Sequence, residues 1–363
     1  MSASSKIDTL TLTARLIVPV ALGSAGYAAW RIDWPTAIRS FLTGPGRTSR
    51  IALLLFVFFN WKNMPFAWTV SFRYPLDLTI AVFNLFAQYR VFQGILYHNV
   101  IRKSPELGPR ALFKPMITPS HAPLLETDYN LHKSNSTYFS DLDITRTHLV
   151  SYLCRPGLKK LTQNATSKMV LDPETGKPFR GSMGIMLGAV ACSFKREIST
   201  YHGYEMWSSI LCWDRKWCYI VTHFIPKGAA KPTEWLDPGF SRLRTRRSND
   251  ASGGWEKKIH ATAISKYVFK LGRLTVSPAT VLEHSGLLPE RPGGWTSGEN
   301  QVGDESVDVS DIDLSTEGDW TWQRVEAHRR KGMEYAESFQ ALDSLHGLFD
   351  GGRNGAIARC GGP

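Results

Sequence analysis

The sequence predicts an α+β domain in which one long helix lies against an antiparallel sheet. Residues 136–153 carry apolar side chains at three- and four-residue steps, which is the period of an amphipathic helix. Three long segments rich in β-branched and aromatic residues follow it. The chain of 363 residues is 43% hydrophobic and 12% aromatic, so it is long and apolar enough to bury a substantial core.

The predicted helix begins near Asn135, with Ser134 or Asn135 as the N-cap, and a Pro-Gly pair at 156–157 ends it. Its apolar face is formed by Tyr138, Leu142, Thr145, Leu149 and Tyr152. Strands are predicted within residues 181–198, 204–226 and 259–276. The middle segment is interpreted as a hairpin with its tip at 213–217, which gives at least four strands.

The first hundred residues contain three apolar segments, at 16–30, 51–61 and 78–89. None has the roughly 18 consecutive apolar residues typical of a transmembrane helix. Spanning a membrane, lying in its interface and packing on the next domain therefore remain open. We expect membrane association with the remainder of the chain in the cytosol, and the alternative is a cytoplasmic protein.

Changes in composition divide the chain into five predicted parts. Residues 1–105 form an apolar helical region that is a candidate membrane anchor, and residues 106–288 form the main domain. Residues 289–319 are an acidic flexible linker, 320–345 a C-terminal helix and 346–363 a flexible tail.

Charge and motifs exclude several classes of protein. The net charge of +11 allows nucleic acid, an anionic membrane or a phosphate-bearing substrate as partner and selects none, so no nucleic-acid partner is predicted. The five cysteines form no C-x-x-C pair, which removes the usual zinc and redox signatures. The serine-hydrolase elbow, P-loop, zincin helix and dinucleotide fingerprint are also missing. No metal or redox cofactor is expected.

The stretch TDYNLHKSNSTYFSDLD, residues 127–143, carries the candidate chemistry. In an extended conformation, Asp128, Asn130 and His132 would share one side and reach the helix N-terminus. Free backbone N–H groups there can stabilise an oxyanion, and a nearby carboxylate can act as base or nucleophile in acyl transfer. The alternative is that these residues only turn the chain into the helix. Asp141 and Asp143 are interpreted as helix acids that offset the dipole.

The order Asp128, Asn130, His132, Asn135 and Tyr138 resembles the D-x-N-x-H-x-N-N-x-x-Y signature of hotdog-fold thioesterases of the 4-hydroxybenzoyl-CoA thioesterase type. The layout is similar to the membrane-tethered thioesterase-like branch and, most of all, to thioesterase-like proteins of fungal polyketide biosynthesis clusters. The resemblance covers residues from about 110 to 290, including the strands after the motif.

This resemblance implies a hotdog fold, with an antiparallel sheet wrapped around the central helix and homodimers or higher oligomers formed through sheet edges. It implies hydrolysis of acyl or polyketide thioesters, carried on coenzyme A or an acyl carrier protein, in secondary-metabolite biosynthesis. It assigns catalysis to Asp128, His132 and Asn135. Oxyanion binding and substrate positioning fall to the backbone around the helix start, namely Ser134, Ser136, Thr137 and Tyr138.

One departure keeps a second function open, because Ser134 stands where the family has the first asparagine of a pair. The alternative is a non-catalytic, membrane-associated hotdog protein that binds acyl ligands or partner proteins. The basic run 241–248 is interpreted as an exposed loop, with phosphate binding as a second hypothesis. Its candidate phosphate-binding residues are Arg242, Arg244, Arg246 and Arg247.

Overall fold

The computed structural model describes residues 33–60, 91, 94–95, 98, 106–172, 174–234, 236, 254–295, 309, 311–314, 318–351, 353, 355 and 357. The chain divides into two compact units. The first comprises Met1–Tyr97, His121–Ile144 and Ile198–Gly203, and the second comprises His98–Ser120, Thr145–Glu197 and Tyr204–Pro363.

The described residues form a six-stranded sheet. Its strands are β1 (Met116–His121), β2 (Met183–Phe194), β3 (Gly203–Trp213), β4 (Cys218–Pro226), β5 (Ala261–Leu271) and β6 (Leu274–Val276). The order is β1-β3-β4-β5-β2, and β6 pairs with β5. The β3–β4, β4–β5 and β2–β5 pairs are antiparallel. The predicted α+β class with an antiparallel sheet is confirmed.

The predicted hairpin is present as β3 and β4. Asp214 closes its tip, because its Oδ1 accepts the backbone N–H groups of Lys216 at 2.7 Å and Trp217 at 2.6 Å. The predicted β segment 259–276 contains two strands, β5 and β6. It divides at Gly272, whose φ of 58° belongs to a turn that glycine adopts readily. Strand β1 was not predicted, since a segment of six residues containing Pro119 gives a weak strand signal.

The described helices and 3-10 segments have the following bounds. In the first unit α1 spans Trp34–Thr43 and α2 spans Arg47–Phe59. The long helix α3 spans Asn135–Leu153 and is followed by α4 (Arg155–Thr162), α5 (Asn164–Ser167), α6 (Pro278–His284) and α7 (Trp322–Gln340). Short 3-10 segments cover Pro109–Ala111, Leu124–Glu126, Trp255–Lys258 and Ala341–Leu348.

Most of the predicted N-terminal apolar region cannot be compared with the structure. The segments 16–30 and 78–89 lie outside the described residues, whereas most of 51–61 falls in α2. Within the described part of the chain, no helix has the length and apolar character needed to cross a bilayer.

In the second unit, helices cover both faces of the sheet. The C-terminal half of α3 packs in a core cluster with Ile210 and Ile220, whereas Ala336 and Phe339 of α7 pack with Cys212 and Tyr219. Tyr219 and Ile220 are neighbours on β4, and successive strand residues point to opposite faces. The C-terminal part of α7 therefore covers the face of the sheet opposite to α3.

A chain of buried hydroxyl groups connects α3 to the sheet. Thr118 Oγ1 of β1 lies 3.1 Å from Thr145 Oγ1 of α3, which lies 2.9 Å from Ser208 Oγ of β3. Ser208 in turn contacts Thr222 Oγ1 of β4 at 2.8 Å. All four side chains are buried, so each hydroxyl group takes the place of water as the hydrogen-bond partner of its neighbour.

Candidate active site

Residues 128–132 form a tight turn immediately before α3. The backbone N–H of Asp128 donates to the His132 carbonyl at 2.9 Å, and that of Leu131 donates to the Asp128 carbonyl at 3.0 Å. Asp128 Oδ1 accepts the backbone N–H of Asn130 at 2.9 Å. Leu131 completes the turn in the left-handed region, with a φ of 62°.

The extended conformation predicted for this stretch is therefore wrong. The Asp128 side chain bonds to the backbone two residues further on, which is the local interaction by which Asp favours turns over strands. Strand alternation no longer places Asp128, Asn130 and His132 on one side. Asp128 and His132 are half-buried, whereas Asn130 is exposed.

A neighbouring segment of the first unit holds the two ends of the turn. Thr127 pairs with Lys133 across the turn, and His132 pairs with Ser199, each through an isolated antiparallel bridge. The Thr200 hydroxyl donates to the Leu131 carbonyl at 2.9 Å. The turn is thus closed by the pairing of its two flanking residues, and residues 199–200 of the neighbouring segment hold its second half.

Helix α3 begins directly after this turn. The Ser134 carbonyl accepts both the backbone N–H of Thr137 at 3.0 Å and the Thr137 hydroxyl at 2.7 Å, while Ser134 Oγ contacts Ser136 Oγ at 3.0 Å. Asn135 and Ser136, the first two helical residues, are exposed, and Tyr138 is buried. Since a helix leaves its first N–H groups without intrahelical partners, this end can accept an anion or an oxyanion.

A buried ionic cluster, Glu126, Lys133 and Asp141, was missed by the sequence reasoning. Lys133 Nζ pairs with Glu126 Oε2 and lies 2.9 Å from Asp141 Oδ2. The side chains are exposed by 3% or less. Lys133 Nζ also lies 5.3 Å from the centroid of the Tyr138 ring. The interpretation of Asp141 as an acid that only offsets the helix dipole is wrong, because its carboxylate is buried against an ammonium group.

One sequence signal could have revealed this cluster. Tyr138, Asp141 and Leu142 follow the apolar face of the predicted helix, so Asp141 falls at a core position where an unpaired carboxylate would be costly. A buried acid requires a cation nearby, and Arg146 and Lys133 are the arginine and lysine residues within eight positions of Asp141. Glu126 gives no comparable signal, because it belongs to a short 3-10 segment rather than to a periodic element.

The described thiols are poor candidates for a nucleophile. Burial raises the pKa of Cys154 to about 12 and that of Cys192 to about 11. Burial is also the main cause of the raised pKa of Cys212, about 12, and it raises that of Cys218 well above the usual value. Thiols react as thiolates, so these four are unreactive at neutral pH. In the described part of the chain, no group of three or more His, Cys, Asp or Glu is arranged to hold a metal ion.

The structure brings together the predicted residues of the motif and leaves the basic run undescribed. Asp128, His132, Ser134, Asn135, Ser136, Thr137 and Tyr138 lie in one turn and the following helix start. Arg242, Arg244, Arg246 and Arg247 lie outside the described residues. Phosphate binding by these arginines stays a prediction.

Comparison with known proteins finds one family model and several proteins that are similar to this chain. Residues 122–236 match the family described as the Thioesterase-like superfamily. Thioesterase poxG of Penicillium oxalicum is 36% identical over 268 residues, which are 72% of this chain and 80% of poxG. Probable thioesterase atnL of Emericella nidulans is 30% identical over 335 residues, 89% of this chain and 92% of atnL. Among solved structures, the YbaW probable thioesterase of Escherichia coli is 10% identical, with a TM-score of 0.30, covering 47% of this chain and 96% of YbaW.

Proposed function

The chain belongs to the thioesterase-like superfamily, and we propose that it is an acyl thioesterase acting on thioesters of coenzyme A or an acyl carrier protein. The relatives poxG, atnL and lcsJ, the last from Purpureocillium lilacinum, are all named as thioesterases, and the match extends over most of each of them. The observation that carries the proposal is the half-buried Asp128 carboxylate in a turn that leads into the exposed start of α3.

The proposed reaction adds water to the thioester carbonyl and breaks the carbon–sulfur bond, which gives a carboxylic acid and a thiol. Asp128 Oδ1 accepts one hydrogen bond from its own turn, and a carboxylate has further acceptor positions with which to orient and deprotonate water. Direct attack by the carboxylate is the other route open to it. The N–H groups of Asn135 and Ser136 stabilise the oxyanion, and His132 orients the carboxylate or the thioester.

A polyketide-type acyl group is our proposal for the substrate, because the motif and the chain layout resemble thioesterase-like proteins of fungal polyketide clusters. We further propose a hotdog arrangement in which the sheet wraps around α3. The order β1-β3-β4-β5-β2, with α3 packed on one face of the sheet, supports it.

Homodimerisation through the β2 edge is also proposed. In the described sheet β2 is the terminal strand of the path, it is 12 residues long and it pairs with β5. Met186, Leu187 and Phe194 on this strand are exposed by 55%, 44% and 39%, which is apolar surface that a second copy would cover.

The first test is thiol release from a panel of acyl-coenzyme A and acyl-N-acetylcysteamine thioesters, aliphatic and polyketide-like, by the full chain and its Asp128→Asn variant. Loss of a catalytic acid–base group should lower kcat by roughly a hundredfold or more. Asp172→Asn is the matched control, because Asp172 Oδ1 accepts the N–H of Glu174 at 3.0 Å in a turn of the same kind. Substrate-free blanks are needed, since the chain contains five cysteines and any thiol that becomes accessible would react with the thiol reagent.

Equal rates for the wild type and Asp128→Asn would remove Asp128 from the mechanism. A folded dimer that binds acyl thioesters without turnover would support the alternative, a non-catalytic hotdog protein that binds acyl ligands.

For localisation we propose that α1 and α2 bind the surface of an anionic membrane. Residues 34–59 contain three arginines, Arg39, Arg47 and Arg50, and no acidic residue. Arg50 joins the two helices, donating to the Phe41 carbonyl at 3.3 Å. Leu53 and Phe58 of α2 are exposed by 61% and 73%, as an interfacial helix with flanking cations requires.

Co-sedimentation of the full chain with phosphatidylserine-containing vesicles tests this localisation. The double variant Leu53→Asp/Phe58→Asp should lose binding, whereas Leu348→Asp, at another exposed leucine, should retain it. Equal binding by all three proteins would contradict the assignment to α2.

A further inference from the structure

The Glu126–Lys133–Asp141 cluster joins three consecutive parts of the candidate active site. Glu126 ends the 3-10 segment before the turn, Lys133 directly follows the turn, and Asp141 lies in the second turn of α3. Lys133 Nζ contacts both carboxylates. One ammonium group therefore connects the entrance of the turn, its exit and the helix.

Backbone hydrogen bonds reinforce the same connections. The N–H of Ser134 donates to the Glu126 carbonyl at 2.7 Å, and the N–H of Lys133 donates to the Ile198 carbonyl at 2.8 Å. Glu126 and Lys133, which flank the turn, are thus each held by a main-chain hydrogen bond and by a side-chain ion pair. Movement of Lys133 would shift His132 and the first residues of α3 together.

Stability alone gives a poor reason for such a cluster. Removing two carboxylates and an ammonium group from water is costly, and their mutual attraction often does no more than offset that cost. Apolar residues of similar volume would fill the space as well. Charge-assisted bonds are directional, however, and they hold their partners at short and defined distances.

We propose that Lys133 is a positioning residue for thioester hydrolysis, holding the Asp128–His132 turn in register with the N-terminus of α3 through Glu126 and Asp141. This inference rests on the proposed function, in which a carboxylate of the turn and the N–H groups of the helix act on the same carbonyl. The Lys133 side chain is fully buried, so its proposed role is to hold other groups in place rather than to contact the substrate.

Asp141→Asn in the full chain tests the proposal, because it keeps the shape of the side chain and leaves Lys133 and Glu126 as a neutral pair. We expect a folded protein in which kcat falls about tenfold or more while KM changes less than threefold, since a small misplacement of catalytic groups acts on the rate. Hydrogen exchange at the amides of Asp128, Leu131 and Lys133 should accelerate. Thr145→Val is the control, since it weakens the buried hydroxyl chain of the second unit and should leave exchange in the turn unchanged.

A folded Asp141→Asn protein with wild-type kcat and wild-type exchange in the turn would overturn the proposal. Should this variant fail to fold, the charge-free variant Glu126→Gln/Lys133→Met/Asp141→Asn replaces it. A folded charge-free protein with lowered kcat and faster exchange supports positioning, whereas normal kcat or failure to fold would assign the cluster a purely structural role.

The exchange measurement separates this inference from the proposed function. If the wild type shows no thioesterase activity but Asp141→Asn loosens the turn, hydrolysis is wrong and the ordering role of Lys133 stands. If the wild type is active and the turn is unaffected by Asp141→Asn, the positioning role alone fails.

Discussion

The close approach of α7 to β3 leaves no room for a side chain at Gly332 on the C-terminal helix. A β-carbon added at Gly332 would lie 2.9 Å from Cys212 Cβ and closer still to the Leu211 carbonyl oxygen. Ordinary contacts begin at 3.4 Å, so α7 would have to move away by at least 0.5 Å. The obstacles are a backbone carbonyl and a β-carbon, which cannot rotate aside. Gly332→Ala should therefore separate Ala336 and Phe339 from the sheet.

The expected loss can be estimated from two opposing effects. Overpacking a well-packed interface costs up to about 3 kcal/mol, and alanine regains about 1 kcal/mol in a helix interior, which leaves a net loss of about 2 kcal/mol. For a domain of this size that corresponds to a decrease in Tm of roughly 4–8 °C.

Thermal unfolding followed by circular dichroism tests the estimate. Gly347→Ala is the matched control, because an added β-carbon there has no heavy atom within 4 Å. Its stability should stay within about 0.5 kcal/mol of wild type. A Gly332→Ala protein as stable as the wild type would refute the close packing of α7 on β3.

Three further predictions follow from buried polar groups and backbone strain. Thr145→Val keeps the shape of the side chain but leaves Thr118 and Ser208 with one partner fewer each, so the free energy of unfolding should fall by about 1–3 kcal/mol. Urea unfolding measures this loss, and an unchanged midpoint would contradict the buried hydroxyl chain. Leu131→Gly removes a left-handed strain of about 1–2 kcal/mol against an entropic cost of up to about 1 kcal/mol, so Tm should rise slightly, and a clear decrease would show that the Leu131 side chain stabilises the turn. Burial, with nearby cations including Arg324, lowers the pKa of His328, so the unfolded state binds more protons and wild-type stability should fall as pH drops below 6.5. His328→Phe should remove part of this pH dependence, and parallel Tm–pH curves for the two proteins would exclude a contribution from His328.

Periodic elements were the part of the fold that could be predicted from sequence. Helix α3 and the two strands of the β3–β4 hairpin are long elements whose apolar residues recur at a regular step, and the predicted bounds differ from the observed ones by one or two residues. Strand β1 is six residues long and contains Pro119, which leaves too few positions for a pattern. The turn at Gly272 lies inside an apolar segment whose composition does not change across it.

The candidate site was predicted in its residues but not in its conformation. The motif gave the right set of positions, because Asp128, His132 and Asn135 do lie at a helix start. Its alternation suggested a strand, whereas local hydrogen bonds of the Asp128 side chain favour a turn. The cluster around Lys133 depends on Glu126, which lies seven residues away along an irregular segment. A contact of this kind cannot be predicted from helical or strand periodicity.

The departure at Ser134 has a structural explanation in the geometry of the helix start. Ser134 acts there through its backbone, since its carbonyl accepts two hydrogen bonds from Thr137 and its N–H donates to Glu126. Its hydroxyl contacts only the neighbouring Ser136 hydroxyl among the described hydrogen bonds. A residue whose contribution is made by the main chain can be exchanged without changing the conformation. The replacement of the family's first asparagine by Ser134 is therefore compatible with an intact turn and helix start, and activity measured with Asp128→Asn tests the chemistry without the helix geometry as a confounding factor.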